Sequence, residues 1–468
     1  MLAFPTSWLL RRHGIYLSIF LFILFVFGLS HFVNRSRHAF SLDVSSYFLD
    51  EQQRYYSWTT RPFFPPLENS GGGNLTAPEL CAGFPTHLLD RIQVILKTGT
   101  SEPEKNKAHL ASVTSCITNL IIFSDYEEIV SQHHFIDVLE DLPPTYAIKN
   151  PDFAAYDAQK LAHSQNGSVR YSQEGWRLDR FKFLPMVEKA YEMRPNADWY
   201  VFIEADTYYF WDTLFRMLDK LDPSMMHYMG SPVPGARGRY FAYGGAGFVL
   251  SSGVMKRLNE GSTSESRLSV QFQDMAKKDC CGDAVLAYAI KDKIDVKLEG
   301  LYPTFSGDEL GALKVNKERW CIPLLALHRM SPEELMALWK WERTRPYNEE
   351  PFLHSSLLAY THSHLRDGST RSFWDNYSDL PQPKRSHSHD SVAACSAACV
   401  ADPDCLQFSY TSKTCRFGNW IQMGKPTPES EDFISGWDII KMSDLGFRID
   451  MEFSDSCTQA SWLQPTVH

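Results

Sequence analysis

The sequence predicts an α/β body with a mostly parallel central sheet, an apolar N-terminal segment ahead of it and a small cysteine-rich module behind it. Three observations predict this. Between residues 81 and 345, short apolar runs alternate with stretches of helical spacing, which is the grammar of buried strands covered by helices. One run, Trp199 to Ile203, is rich in aromatic and β-branched residues and ends in two carboxylates, Glu204 and Asp206. Four cysteines crowd between Cys395 and Cys415, far from the rest of the pattern.

Composition narrows the function classes. A chain of 468 residues exceeds one ordinary core, so about three domain-sized units are expected. The net charge of −10 and the lack of a long basic block exclude nucleic acid as a partner. Ten Cys, with the sequons at Asn74, Asn166 and Asn376, point to an oxidising secretory compartment.

Residues 14–33 form an apolar stretch with Arg11 and Arg12 before it and Arg35 and Arg37 after it. That length spans a bilayer as a helix. The apolar core is too long for a cleaved signal peptide, and no small-x-small exit follows it. The reading is a signal anchor with a cytosolic tail, 1–13. The sequons, all C-terminal to the span, set the far side as luminal. Residues 34–80, punctuated by Pro62, Pro65, Pro66 and Gly71 to Gly73, read as a stem.

In the body, Arg91 to Lys97 and Thr118 to Asp125 read as strands, the second closing on Ser124 and Asp125. Trp176 to Tyr191 has helical spacing despite Pro185, and the strand ending in Glu204 follows. Side chains two apart leave a strand on one face, so Glu204 and Asp206 share a crevice at the carboxyl end of the sheet. Oxygen ligands there suit Mg²⁺ or Mn²⁺ together with substrate phosphate. Taken alone, two such acids also fit a solvated loop. Trp211 to Leu221 reads as a helix, and Tyr228 to Pro232 as a strand end. The run Tyr243 to Ser251 holds Gly244, Gly245 and Gly247, which permit close backbone approach. Asp283 heads an apolar helix, as its N-cap or as a base facing a cleft. Trp320 to Met330 reads as a last strand with His328 at its exit. Ser331, Pro332 and Glu334 then form a capping box that opens a helix.

In order, these are Trp176-x-Leu178-Asp179, Glu204-Ala205-Asp206-Thr207-Tyr208, Gly244-Gly245-Ala246-Gly247-Phe248-Val249-Leu250-Ser251, Asp283 with its helix, and His328. The set resembles glycosyltransferase family 31, the β1,3-galactosyltransferase and Fringe group, nearest its core-1 galactosyltransferase-like branch in a fungal-type form. The resemblance covers about residues 81 to 345. It implies a GT-A-type fold, a UDP-sugar donor, Mn²⁺, an inverting displacement onto a glycan or glycoprotein hydroxyl, and Golgi or ER type II topology. It maps metal ligation to Asp206 and His328 and the base to Asp283. Glu204, Gly245, Asp125 (uracil or ribose) and Lys182 (phosphate) are further donor-site candidates. Two departures stand out. Glu-Ala-Asp replaces three consecutive acids, and Gly282 stands where an acid precedes the base.

Residues 346–390 read as an extension and linker, and 391–468 as a module with a tail. Ala393 to Val400 has a helical pattern and Leu406 to Tyr410 a strand pattern, with Cys395, Cys399, Cys405 and Cys415 as a disulfide framework. Spacing allows three pairings. The segment resembles a truncated PAN/Apple module, and that resemblance implies Cys395–Cys415 nested around Cys399–Cys405. Two functions follow: a membrane-anchored hexosyltransferase, galactose first among its sugars, or an inactive tethered receptor that binds carbohydrate or protein through the PAN-like module. Homo-oligomerisation is left open.

Overall fold

The computed structural model describes residues 58–67, 75–165, 173–261, 263, 265–346, 349–361, 369–447, 457 and 459–468. The candidate anchor, 14–33, lies outside the described residues, as do Asn74 and Asn166. Among the described residues, no helix is long and apolar enough to cross a membrane.

The centre is a nine-stranded sheet. Its strands are β1 (Ile92–Lys97), β2 (Ile121–Ser124), β3 (Glu128–Val130), β4 (His133–Asp137), β5 (Trp199–Glu204), β6 (Tyr228–Gly230), β7 (Phe248–Ser251), β8 (Glu299–Gly300) and β9 (Thr466–Val467). Across the sheet they run β9-β8-β6-β7-β5-β1-β2-β4-β3. The expected mostly parallel sheet is instead mixed. The β1–β2, β1–β5, β2–β4 and β6–β8 junctions are parallel, whereas β5–β7, β7–β6, β8–β9 and β4–β3 are antiparallel. β5 and β7 are buried almost throughout, and a strand covered on both faces has the same apolar run in either direction. Direction was therefore not readable from the pattern.

Four helices bear on the site: α1 (Pro103–Ala111), α2 (Pro151–Ser164), α3 (Gln173–Met193) and α4 (Gly282–Ile294). α3 carries Leu178, Phe181, Leu184 and Val187 into the core, and α4 adds Val285, Leu286 and Ile290. Pro185 is accommodated inside α3.

Three expectations about segments change. The last strand, expected over Trp320 to Met330, is only Ala326–Leu327, because its partner Tyr208–Tyr209 is two residues long. Ser331 still caps the next helix, Pro332–Thr344, with the reciprocal Glu334 bond in place. Part of the expected stem belongs to the body. The amides of Phe63 and Phe64 donate to Asp212 Oδ1 at 2.7 and 2.8 Å, and the Arg343 guanidinium donates to the carbonyls of Pro65 and Leu80. Part of the expected linker is module. Thr370–Ser372 and Leu380–Pro381 are the edge strands of a five-stranded sheet with Gln407–Thr411, Thr414–Gly418 and Ile434–Trp437.

All ten cysteines pair: Cys81–Cys116, Cys280–Cys281, Cys321–Cys457, Cys395–Cys415 and Cys399–Cys405. The last two are the nested pairs that the PAN/Apple resemblance implied. Asn376 departs from its reading as an acceptor for glycan. It is fully buried, its Nδ2 donating to the carbonyls of Phe408 and Gly436 at 3.1 and 3.2 Å. A glycan on that nitrogen has no room in this fold.

Candidate functional site

The carboxyl ends of β1, β2 and β5 open into a cavity of about 760 Å³. All seven candidates, Asp125, Lys182, Glu204, Asp206, Gly245, Asp283 and His328, line it. They come from six separate segments of the chain, and the fold brings them to one place.

Glu204 closes β5, and the turn after it is pinned by Thr207. Its amide donates to Glu204 O at 3.0 Å and its hydroxyl to Gly245 O at 2.8 Å. Asp206 O accepts the amide of Met330 at 3.0 Å, which brings the His328 segment across. His328 Nε2 then lies 3.2 Å from Asp206 Oδ1 and 3.8 Å from Glu204 Oε2. Arg329 takes a left-handed backbone, φ 56°, an uncommon conformation for a side-chain-bearing residue and one found at functional turns. Gly245 is needed for a related reason: a Cβ there would sit 2.3 Å from the His328 ring.

One ligand atom from each of Glu204, Asp206 and His328 falls within 4.8 Å of the others. Two carboxylates and an imidazole form an O/O/N donor set that can hold a divalent cation. His328 Nδ1 meets Tyr243 Oη at 3.0 Å, so a proton held on Nδ1 leaves Nε2 free to ligate. The residues fit a divalent ion, with Glu204 as a third ligand beside the two expected. Burial alone would lower the His328 pKa, but hydrogen bonds and charge from Asp206 and Glu204 outweigh it and raise it to about 9. Burial opposes ionisation of Asp206, yet His328 and Lys105 hold its carboxyl well below the usual range. Glu204 is likewise lowered, with burial outweighed by the charge of Lys97 and by His328.

Asp283 is not the N-cap of α4. Cys281 holds that position and Asp283 lies in the first turn. Its Oδ2 accepts the Gly244 amide and its Oδ1 the Ala284 amide, each at 2.9 Å. Burial still dominates and pushes its pKa up to about 6. Gly282 explains the missing acid before it, because a Cβ there would meet the Arg180 carbonyl oxygen at 2.4 Å.

Asp125 and Lys182 pair with each other. Lys182 Nζ donates to Asp125 Oδ2 at 3.0 Å and to Thr98 O at 2.6 Å, while Asp125 Oδ1 accepts the amide and hydroxyl of Thr100. Both side chains are almost wholly buried. Their polar groups brace the ends of β1 and β2 against α3, and both residues line the cavity.

The cations nearest the carboxylates were not singled out from the sequence. Lys97, at the end of β1, contacts Asp179 and lies 3.2 Å from Glu204 Oε1. Lys105, on α1, lies 3.0 Å from Asp206 Oδ2 and 2.6 Å from Glu102. Arg329 also lines the cavity. Lys97 carried a usable signal, since it ends a strand neighbouring β5. Lys105 carried none, because it sits in a polar helix whose place is set by packing.

The Fringe-like family model matches residues 153–306. That is about a third of the chain, and it supports a glycosyltransferase. The match includes Glu204, Asp206, the glycine run and Asp283, and it stops short of His328 and the C-terminal module. No curated protein matches the chain. Among solved structures, the crystal structure of the glycosyltransferase GlyE of Streptococcus pneumoniae TIGR4 aligns at 12% identity and TM-score 0.29, covering 54% of this chain and 60% of that one. The likeness is too loose to carry an argument, and the chain spans less than two thirds of that structure.

Proposed function

We propose that this protein is a Mn²⁺-dependent inverting glycosyltransferase that moves a hexose, galactose first among them, from a UDP-sugar to a hydroxyl of a glycan or glycoprotein, in a β1,3 linkage. The carrying observation is the convergence of Glu204, Asp206 and His328, with Asp283, on one cavity. The Fringe-like match supports the same class.

In this reading Asp206, His328 and Glu204 would hold the ion, which would supply positive charge toward a departing diphosphate. Lys105 and Arg329 line the same cavity and add positive charge for phosphate oxygens. Asp283 takes the proton from the acceptor hydroxyl as that oxygen bonds to the anomeric carbon. The bond from that carbon to the phosphate oxygen breaks, and its electron pair leaves with UDP. A carboxyl with its pKa pushed up by burial is a stronger base than a solvated one. We further propose a Golgi or ER type II placement through residues 14–33, with the sheet luminal. Protease added to sealed microsomes is then expected to remove only the N-terminal tail, and loss of the body would overturn that placement.

Calorimetry of UDP with Mn²⁺ on the purified chain tests the site. Asp206→Asn and His328→Ala are expected to weaken binding on the order of 10–100-fold. Asp283→Asn is expected to bind almost normally while turnover falls on the order of 100-fold or more. If Asp283→Asn loses UDP as badly as Asp206→Asn, Asp283 is not the base. If the parent chain releases no UDP from any UDP-sugar, with or without EDTA, the enzyme reading fails and a binding role for the fold remains.

A further inference from the structure

Trp176 and the disulfide between adjacent residues Cys280 and Cys281 are assigned no part in the reaction above. Both line the cavity that holds Asp283. Trp176, Asp179, Arg180 and Phe183 follow the i, i+3, i+4, i+7 spacing of one helix face, and all four line the cavity. That face of α3 is therefore a wall. Its inner end is Phe183, 97% buried, against which Gly244 and Gly282 pack. Its outer end is Trp176, 58% exposed.

The segment bearing the disulfide runs along this wall. Gly282 packs on the backbone of Arg180, and Arg180 Nη1 donates to the Asp279 carbonyl at 3.2 Å. Trp176 lies one turn outward from Arg180, and Cys280 and Cys281 lie between Asp279 and the wall's contact at Gly282. The sulfurs are bonded to each other, so they present an uncharged, polarisable surface and not a pair of thiolate ligands. A single exposed Trp is ordinary on a protein surface. This one shares a cavity wall with a second apolar surface and with the candidate base.

We propose that Trp176 and the Cys280–Cys281 disulfide form the platform on which the acceptor sugar lies, and that the acceptor is a pyranoside presenting an apolar C–H face to them. This rests on the transferase reading. Asp283 must touch the hydroxyl it deprotonates. The ring bearing that hydroxyl therefore extends from Asp283 into the cavity that exposed Trp176 and Cys280 also line. An indole plane packs against the C–H groups of a pyranose while the ring's hydroxyls stay solvated at its edges. Polar groups ordinarily fix orientation in such sites, and Asp179, paired with Lys97, and Arg180, paired with Asp152 and the Asp279 carbonyl, line the same cavity.

Saturation-transfer NMR with a panel of methyl hexopyranosides and N-acetylhexosaminides, recorded with UDP and Mn²⁺ present, tests the platform. Hydrolysis of UDP-sugar to free sugar is measured alongside as an acceptor-independent readout. The parent is expected to transfer saturation to the ring C–H protons of at least one glycoside. Trp176→Ala and the Cys280→Ala/Cys281→Ala double variant are expected to lower that affinity on the order of tenfold, with donor hydrolysis and UDP binding within about twofold of the parent. Trp176→Phe, which keeps an aromatic plane, is expected to recover most of the loss. Unchanged glycoside binding in both variants overturns the platform. So does a parallel fall in donor hydrolysis, and so does a parent that binds UDP–Mn²⁺ but no glycoside. A parent that fails to bind UDP at all overturns the transferase reading instead.

Discussion

Asp283 and His328 show how much a side chain's chemistry depends on its neighbours. Each is a common residue in an unremarkable local sequence, and burial acts on both. For Asp283 burial wins over two backbone donors and pushes the carboxyl up to about 6. For His328 two carboxylates win over burial. A base must be ionised to work, so turnover is expected to fall about tenfold per pH unit below about pH 6. A pH–rate profile checks this, and a flat profile between pH 7.5 and 5 would remove Asp283 from the role. Gly245 belongs at the same scale. Its missing Cβ makes room for an imidazole that Tyr243, Asp206 and Glu204 already hold, so the ring has nowhere to yield. Gly245→Ala is expected to weaken Mn²⁺-dependent UDP binding on the order of 10–100-fold, as for loss of a ligand's orientation, and calorimetry reads it directly.

At the scale of elements, the start of α4 is set by contact and not by capping. Gly282 fits between the Arg180 backbone and the Phe183 ring, and this brings the first turn of α4 close enough for Asp283 to bond the Gly244 amide. Gly282→Ala is expected to cost about 1–3 kcal/mol in denaturant unfolding, because backbone cannot move aside as a flexible side chain would. A neutral result would mean that α3 and α4 slide past each other freely. Element identities were largely legible, since the Glu204 strand, the helix through Pro185 and the Ser331 capping box each carry a local signal. The last strand was not, since its length is that of its two-residue partner.

Across the molecule, buried titratable groups tie stability to pH in opposing directions. His109 is fully buried, and burial lowers its pKa to about 4, despite bonds to Thr114 and the Thr207 carbonyl. A histidine whose folded pKa is depressed contributes stability that is present above its unfolded value, 6.5, and is lost as pH falls toward the folded value. Glu342, raised to about 7 by burial, runs the other way, since its folded form holds the proton more tightly than the unfolded chain. The informative quantity is thus a difference. Between pH 6.5 and 5, the Tm of His109→Gln is expected to fall less than the parent's, and equal slopes would show that His109 does not titrate on unfolding. Asn376 gives a second test at this scale. Asn376→Gln is expected to leave the endoglycosidase-sensitive mass unchanged and to lower Tm, because the buried amide loses its two carbonyl partners. Loss of one glycan's mass in that variant would place Asn376 outside.

Signals carried by neighbouring residues were readable in the chain alone. The strand into Glu204, the spacing of Glu204 and Asp206, the glycine run and the cysteine cluster each depend on residues a few positions apart, where strand and helix periodicity act. Tertiary structure decided what depends on distant segments meeting. The direction of β7 beside β5 follows from how the chain re-enters the sheet. His328 joins Glu204 and Asp206 because the 206 and 330 backbones bond across the cleft. Asp125 and Lys182 neutralise each other because α3 lies against the ends of β1 and β2. Lys105 reaches Asp206 only because α1 packs where it does. Asn376 obeys the sequon rule in sequence, yet its side chain is held by the distant strands Gln407–Thr411 and Ile434–Trp437, and enclosure is a property that a three-residue pattern does not contain.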